Sequence, residues 1–132
     1  MSEARLHGNL QVLLVDDDEE FSAVVRFFLE RDGYRVTYVP DGRQAKAMIT
    51  QMTPPHLILL DLMLPYFSGA ELLQLIRSQP TWNHVPVVVL TAVSAEEHIV
   101  SLLDMGANDY VIKPFNPKEL TARLRRFVRS TS

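Results

Sequence analysis

Short runs of consecutive apolar residues alternate with segments in which apolar residues recur every three or four positions, and the alternation repeats five times. Val12-Leu13-Leu14-Val15 reads as a buried strand. The segment after it places Phe21, Val24, Val25, Phe28 and Leu29 on one stripe, the pattern of an amphipathic helix. Asp32-Gly33 stops that helix, with glycine where φ > 0 is commonly needed. Residues 34–39 alternate more, as expected of an edge strand with one partly wet face. Asp41-Gly42 then opens a helix with Ala45, Met48, Ile49 and Met52 on one face, and Pro54-Pro55 ends it.

Leu57-Ile58-Leu59-Leu60 is the third strand. Ser68 with Glu71 has the spacing of a capping box and starts a helix that runs through Arg77. Residues 87–90, preceded by Pro86, form the fourth strand. Ser94 with Glu97 repeats the capping-box spacing ahead of Ile99, Leu102 and Leu103, and Gly106 closes that helix. Residues 109–112 are a short fifth strand, and Asn116-Pro117 starts a last helix with Leu120, Leu124, Phe127 and Val128 inside. Strands that are apolar throughout and separated by helices require a parallel sheet covered on both faces, so the fold class is α/β, doubly wound. Right-handed crossovers leave few topologies open.

Composition narrows the function classes. A chain of 132 residues with 47% hydrophobic content is one domain with a real core. Its formal charge of -3 recruits neither nucleic acid nor an anionic membrane. The absence of cysteine excludes disulfides and thiolate metal sites. No apolar stretch approaches the ~18 residues of a membrane span, and residues 1–9 are a polar tail without the apolar core of a secretory signal. The expected layout is a tail over 1–9, a domain over 10–129 and a tail over 130–132, in the cytoplasm.

In open parallel sheets the working groups collect beyond the carboxyl ends of the strands. Asp16, Asp17, Asp61, Thr91 and Lys113 all occupy such ends. Each has an ordinary explanation: the first acids could cap a helix, Asp61 could serve a turn, Thr91 could satisfy a backbone group, and Lys113 could be solvated. Together they make a group able to hold a divalent cation beside a nucleophilic carboxylate. A carboxylate attacks a phosphoryl group poorly because both are negative, and Mg²⁺ between them removes the repulsion. Mg²⁺ takes octahedral oxygen ligands and keeps several waters. The expected ligands are Asp17, Asp61 and the main-chain carbonyl of Met63, with Asp16 acting through a bound water; Mn²⁺ is the natural substitute. Asp61 is the nucleophile, and Thr91 and Lys113 would hold the other phosphoryl oxygens.

The motifs Leu14-Val15-Asp16-Asp17-Asp18, Leu60-Asp61-Leu62-Met63-Leu64-Pro65, Leu90-Thr91-Ala92 and Gly106-Ala107-Asn108-Asp109-Tyr110-Val111-Ile112-Lys113-Pro114-Phe115 resemble, in order, a response-regulator receiver domain of two-component signalling. The resemblance spans about residues 10 to 129. It implies a flavodoxin-like sheet of five strands in order 2-1-3-4-5 with five helices, Mg²⁺, and a cis peptide between Lys113 and Pro114. It also implies phosphorylation of Asp61 by a sensor histidine kinase or phosphotransfer protein. Thr91 and Tyr110 would carry the switch, reshaping the face made by the fourth helix, fifth strand and fifth helix. The alternative for Tyr110 is a sheet-edge aromatic with its hydroxyl in water.

Met63 and Val93 fall where receivers tune the lifetime of the acyl phosphate. Neither can orient water, so self-dephosphorylation is expected to be slow. Tyr66-Phe67 departs from the glycine that often follows Leu-Pro in this loop, and reads as a hydrophobic lid or a docking surface. A homodimer through the switching face would use Asp104, Asp109, Glu119, Arg123 and Arg125, with Asp109–Arg123 and Asp104–Arg125 as cross-subunit pairs. Against it, Ile99 stands where dimerising relatives often carry a basic partner for Glu119, and the arginines also suit the negative end of their own helix.

The resulting expectation is a phosphoacceptor signalling domain rather than an enzyme, with only self-phosphorylation and self-dephosphorylation activity. It either stands alone or forms the N-terminal receiver part of a DNA-binding regulator. This domain itself carries no recognition helix for nucleic acid. A metal-dependent phosphatase with an Asp nucleophile needs an acid two residues on, where Met63 stands. A pure interaction module would not need the intact acid set.

Overall fold

The computed structural model describes residues 10–92 and 96–129, with side chains through Phe127. The elements are β1 (Gln11–Val15), α1 (Glu19–Arg31), β2 (Arg35–Val39), α2 (Gly42–Gln51), β3 (Leu57–Asp61), α3 (Gly69–Ser78), β4 (Val87–Thr91), α4 (Glu96–Asp104), β5 (Asp109–Ile112) and α5 (Pro117–Arg129). All strand pairs are parallel, in the order β2-β1-β3-β4-β5. Val93, the Ser94 cap, the two tails and the Val128 side chain lie outside the described residues.

Side chains alternate across a strand, so each central strand feeds two cores. Val12, Leu14, Leu57, Leu59, Val88, Leu90 and Val111 face one side, where Val25 and Leu29 of α1 and Leu120 and Leu124 of α5 cover them. Leu13, Val15, Ile58, Leu60, Val87 and Val89 face the other, under Ala45 and Ile49 of α2, Leu72 and Ile76 of α3, and Leu102 of α4. Burial on both faces explains the unbroken apolar runs. β2 sits at the edge, with the alternating burial expected of it.

Helix entries follow the local chemistry. Asp18 and Asp41 accept from the main-chain N–H groups of Phe21 and Gln44, and Ser68 with Glu71 forms the full capping box. Asp32 ends α1, and Gly33 turns the chain at φ 97°.

Three predicted core positions are corrected. Val24 is 49% exposed, Met52 57% and Leu103 42%. The α1 stripe centres on Ser22, Val25 and Leu29, which swings Val24 outward. Met52 lies past the end of α2 in an extended conformation. In α4 the buried residue is Leu102, and its neighbour faces out.

Two structural residues escaped the sequence reading. Trp82, in the α3–β4 connection, is fully buried and its indole N–H donates to the Met52 carbonyl at 3.0 Å. Arg77 at the end of α3 donates to the carbonyls of Gly106 (3.0 and 2.7 Å), Val85 (2.7 Å) and Asn83 (3.1 Å), and to Asn108 Oδ1 at 2.8 Å. Asn108 Oδ1 also accepts the Val87 N–H. One guanidinium therefore ties the loops before β4 and β5 together at the amino-terminal rim, and its burial lowers its pKa. Among the described residues no helix is long and apolar enough to cross a membrane.

Arg77→Ala should remove five hydrogen bonds to four acceptors, of which the Val85 and Gly106 carbonyls are buried or half-buried, and destabilise the fold by roughly 2–4 kcal/mol. A urea titration should show a lower midpoint with an unchanged slope; an unchanged midpoint would mean that the clamp is ornamental.

Candidate functional site

Parallel register brings the predicted residues together. Val15 is level with Leu60, Asp61 with Leu90, and Thr91 with Ile112. Asp16, Asp61, Thr91 and Lys113 therefore leave β1, β3, β4 and β5 at one rim. Carboxylate oxygens of Asp16, Asp17 and Asp61 lie within 4.8 Å of one another. Lys113 Nζ is 2.8 Å from Asp16 Oδ2 and 3.7 Å from Asp61 Oδ2.

The three consecutive acids have three separate jobs. Asp16 is fully buried, and its Oδ1 accepts the Asp18 N–H at 2.9 Å while its Oδ2 meets Lys113. Asp17 is exposed and turns an oxygen toward the cluster. Asp18 is the helix cap.

Asp61 is 6% exposed and accepts weakly from the Met63 N–H at 3.4 Å. The Met63 side chain points outward at 76% exposure, so only its main chain faces the site. Gly69 closes this loop by donating to the Leu62 carbonyl at 2.9 Å. A Cβ at Gly69 would lie 2.7 Å from Leu62 Cα, so α3 can approach the loop this closely only with glycine there.

Lys113 is held from both ends. Its N–H donates to the Thr91 carbonyl at 2.7 Å, and a cis peptide joins it to Pro114, as the resemblance implied. Its ammonium also lies 4.3 Å from the Phe21 ring centroid. Phe21 meets Phe115 edge-on with centroids 5.3 Å apart. Sequence pattern marks Phe21 as a core position and Phe115 as a motif residue; in the fold Phe21 walls the lysine and Phe115 braces Phe21.

Burial pushes the Asp61 carboxyl up to about 6, reinforced by the Asp16 charge and opposed mainly by Lys113. Three carboxylates against one ammonium leave an excess of negative charge in a partly dry site. The donor set is all oxygen, and Asp17 keeps one side open to water. Both features fit a hard divalent cation such as Mg²⁺.

The loop tip departs from ordinary geometry. Tyr66 has φ 74°, and the Phe67 N–H donates back to the Pro65 carbonyl at 3.0 Å, which makes a γ-turn of the rare strained hand. Such a residue costs about 1–3 kcal/mol and persists only where its surroundings hold it. The Arg43 guanidinium lies 3.9 Å from the Tyr66 ring centroid, and Lys46 Nζ 4.6 Å from that of Phe67.

Thr91 at the end of β4 is buried, and Tyr110 in β5 is half buried, packed against the core under α2 to α4. Four of the five expected dimer residues meet partners inside one chain. Asp109 pairs with Arg123 at 3.3 Å and Arg126 at 3.1 Å, because the two arginines lie one turn apart on α5 beside the start of β5. Arg123 also reaches Glu119 at 3.3 Å. Arg125 turns to Asp32 after α1, at 3.6 Å, and Asp104 is exposed at the end of α4.

A family model described as the response regulator receiver domain matches residues 12–125. The chain belongs to the response-regulator receiver family. The receiver is 39% identical over 119 residues to the DNA-binding response regulator MtrA of Mycolicibacterium smegmatis, covering 90% of this chain and 50% of that protein. It thus spans about half the length of the curated relatives it matches. The Francisella response regulator 1452 receiver domain superposes with a TM-score of 0.86 at 31% identity, covering 94% of this chain and all of that one. The receiver domain of sensor histidine kinase PA1611 from Pseudomonas aeruginosa, solved with a magnesium ion in its active-site cleft, gives 0.81 at 35% identity, covering 90% and 97%.

The Asp61 carboxyl holds its proton more tightly in the folded receiver (about 6) than at its ordinary value of 3.8. Stability of the metal-free protein should therefore fall as pH rises through that interval. Asp61→Asn should remove the loss, stabilising the metal-free receiver by roughly 1–3 kcal/mol near neutral pH and hardly at all below about pH 4. Urea titrations at both pH values, with chelator present, check this; an equal effect at both would rule out ionisation as the cause.

Proposed function

We propose that the receiver accepts a phosphoryl group on Asp61 from the phosphohistidine of a sensor histidine kinase or phosphotransfer protein, in a Mg²⁺-dependent reaction. The observation that carries this reading is the buried Asp61 carboxylate, 3.7 Å from Lys113 Nζ and grouped with two further acids at one rim. Asp16, Asp17, Asp61 and the main chain of Met63 would hold the cation, and Mn²⁺ has the same oxygen preference. When bound, the cation supplies charge neutralisation between the acceptor carboxylate and the phosphoryl oxygens.

The chain's own groups do the rest. Asp61 provides the attacking oxygen: its bond to phosphorus forms as the donor's N–P bond breaks, and the electron pair returns to the imidazole. Lys113, tethered by Asp16 and walled by Phe21, presents a fixed positive charge to the phosphoryl oxygens. The burial that raises the Asp61 pKa also keeps bulk water from the acyl phosphate. The exposed, apolar Met63 side chain offers no group to aim a hydrolytic water.

Thr91 and Tyr110 read the modification. A dianion on Asp61 draws the Thr91 hydroxyl inward, the Tyr110 ring follows, and the α4–β5–α5 face changes shape. That face displays Val100 at 50% and Leu103 at 42% exposure, which suits a partner or a second copy. The activity is that of a cytoplasmic phosphoacceptor, limited to acquiring and losing its own phosphoryl group. A second reading rests on relatives such as MtrA, named as a DNA-binding response regulator and twice the length of the match: the receiver would then govern a DNA-binding module in the same polypeptide.

Incubation with a small phosphodonor and Mg²⁺ should add one phosphoryl group by intact mass, and the adduct should persist for minutes after the donor is removed. The adduct should be absent from Asp61→Asn or with chelator; a second acceptor or a metal-independent adduct would overturn the assignment. Thr91→Ala should still be phosphorylated yet lose the phosphorylation-dependent gain in partner or self-association. An unaltered gain, by sedimentation or titration calorimetry, would remove Thr91 from the switch.

A further inference from the structure

We propose that Arg43 is a positioning residue for the phosphoacceptor site, holding the strained turn at Tyr66 closed and thereby fixing the main chain of Met63 against Asp61. The inference rests on the phosphoacceptor reading of Asp61. It concerns a residue on α2 that belongs to neither the acid cluster nor the Lys113 pair.

The connection runs through five contacts. The Arg43 guanidinium stacks on the Tyr66 ring at 3.9 Å. Tyr66 is the centre of the γ-turn closed by the Phe67 N–H on the Pro65 carbonyl at 3.0 Å. The same Pro65 carbonyl accepts the Gly42 N–H at 3.2 Å, which ties the turn to the first residue of α2, next to Arg43. At its base the loop is closed by the Gly69 N–H on the Leu62 carbonyl, and between these anchors the Met63 N–H reaches Asp61 Oδ1 at 3.4 Å.

A tyrosine at φ 74° relaxes to negative φ unless something holds it, and relaxation would break the Phe67 to Pro65 bond and shift Pro65. Tyr66 is 64% exposed, so core packing does not hold it. The described side-chain contact on the Tyr66 ring itself is the guanidinium, which acts beside the main-chain tie from Gly42 to Pro65. A planar guanidinium stacks on a ring as an ammonium does not, so Arg43→Lys should keep the charge and lose part of the clamp.

The test is a double-mutant cycle of Arg43→Ala, Tyr66→Gly and the pair, with Arg43→Lys as the conservative variant and two readouts. In metal-free protein, Arg43→Ala should speed amide hydrogen exchange at Gly42 and Phe67 by about tenfold while β1 and β3 stay protected. It should also weaken Mg²⁺ binding roughly tenfold by calorimetry. Loss of a positive charge alone would tighten cation binding, so the sign separates positioning from simple electrostatics. Glycine tolerates the left-handed conformation, so on the Tyr66→Gly background the same arginine change should cost less than about twofold. Unchanged exchange in Arg43→Ala, or an equal Mg²⁺ loss on both backgrounds, would overturn the proposal. Failure of the unaltered receiver to accept phosphate would sink the function reading instead, and the metal-free exchange result would still judge the clamp.

Discussion

Like charge at one rim is the constraint on which the rest of this receiver depends. Asp16, Asp17 and Asp61 present oxygens within 4.8 Å of one another, and a single ammonium answers them. Carboxylates released from such a cluster would move apart into water. They stay because the strands that carry them, β1 from Val12 to Val15 and β3 from Leu57 to Leu60, are buried, and close-packed cores do not yield to small forces. The Asp16–Lys113 pair at 2.8 Å spans the first and last strands of the functional rim and closes it.

The remainder of the molecule distributes work around that rim. At the opposite rim, Arg77 gathers four carbonyl and amide oxygens and ties together the loops before β4 and β5. Near the site, the β3–α3 loop carries strain at Tyr66 that the stacked Arg43 offsets. Val100 and Leu103 are exposed apolar residues of α4. On α5, Arg123, Arg125 and Arg126 are engaged within the chain, so any use of them by a partner would exchange existing pairs rather than recruit free charges.

Much of this was legible along the chain. The buried runs predicted β1, β3 and β4 closely because parallel strands covered on both sides admit few polar residues. The caps at Asp41 and Ser68 were legible because capping is local chemistry over a few residues. Val24, Met52 and Leu103 were misplaced because periodicity defines a stripe but not its centre, which the neighbouring helices and the helix end decide. Within the run Asp16-Asp17-Asp18, the sequence did not show that Asp16 is the acid held by Lys113. Their separate roles depend on which oxygen meets Lys113, 97 residues away in sequence.

The sequence by itself determined the fold class, the strand-end placement of the acids and lysine, and the family motifs, because these are properties of hydrophobic period and residue order. The tertiary structure alone decided which acid pairs with Lys113, that Asp61 is buried and driven up in pKa, and that Phe21 walls the lysine. It alone revealed the Arg77 clamp and the Arg43–Tyr66 stack. Those outcomes depend on distances between residues remote in the chain and on water excluded by packing, and neither quantity is written in any local pattern of residues.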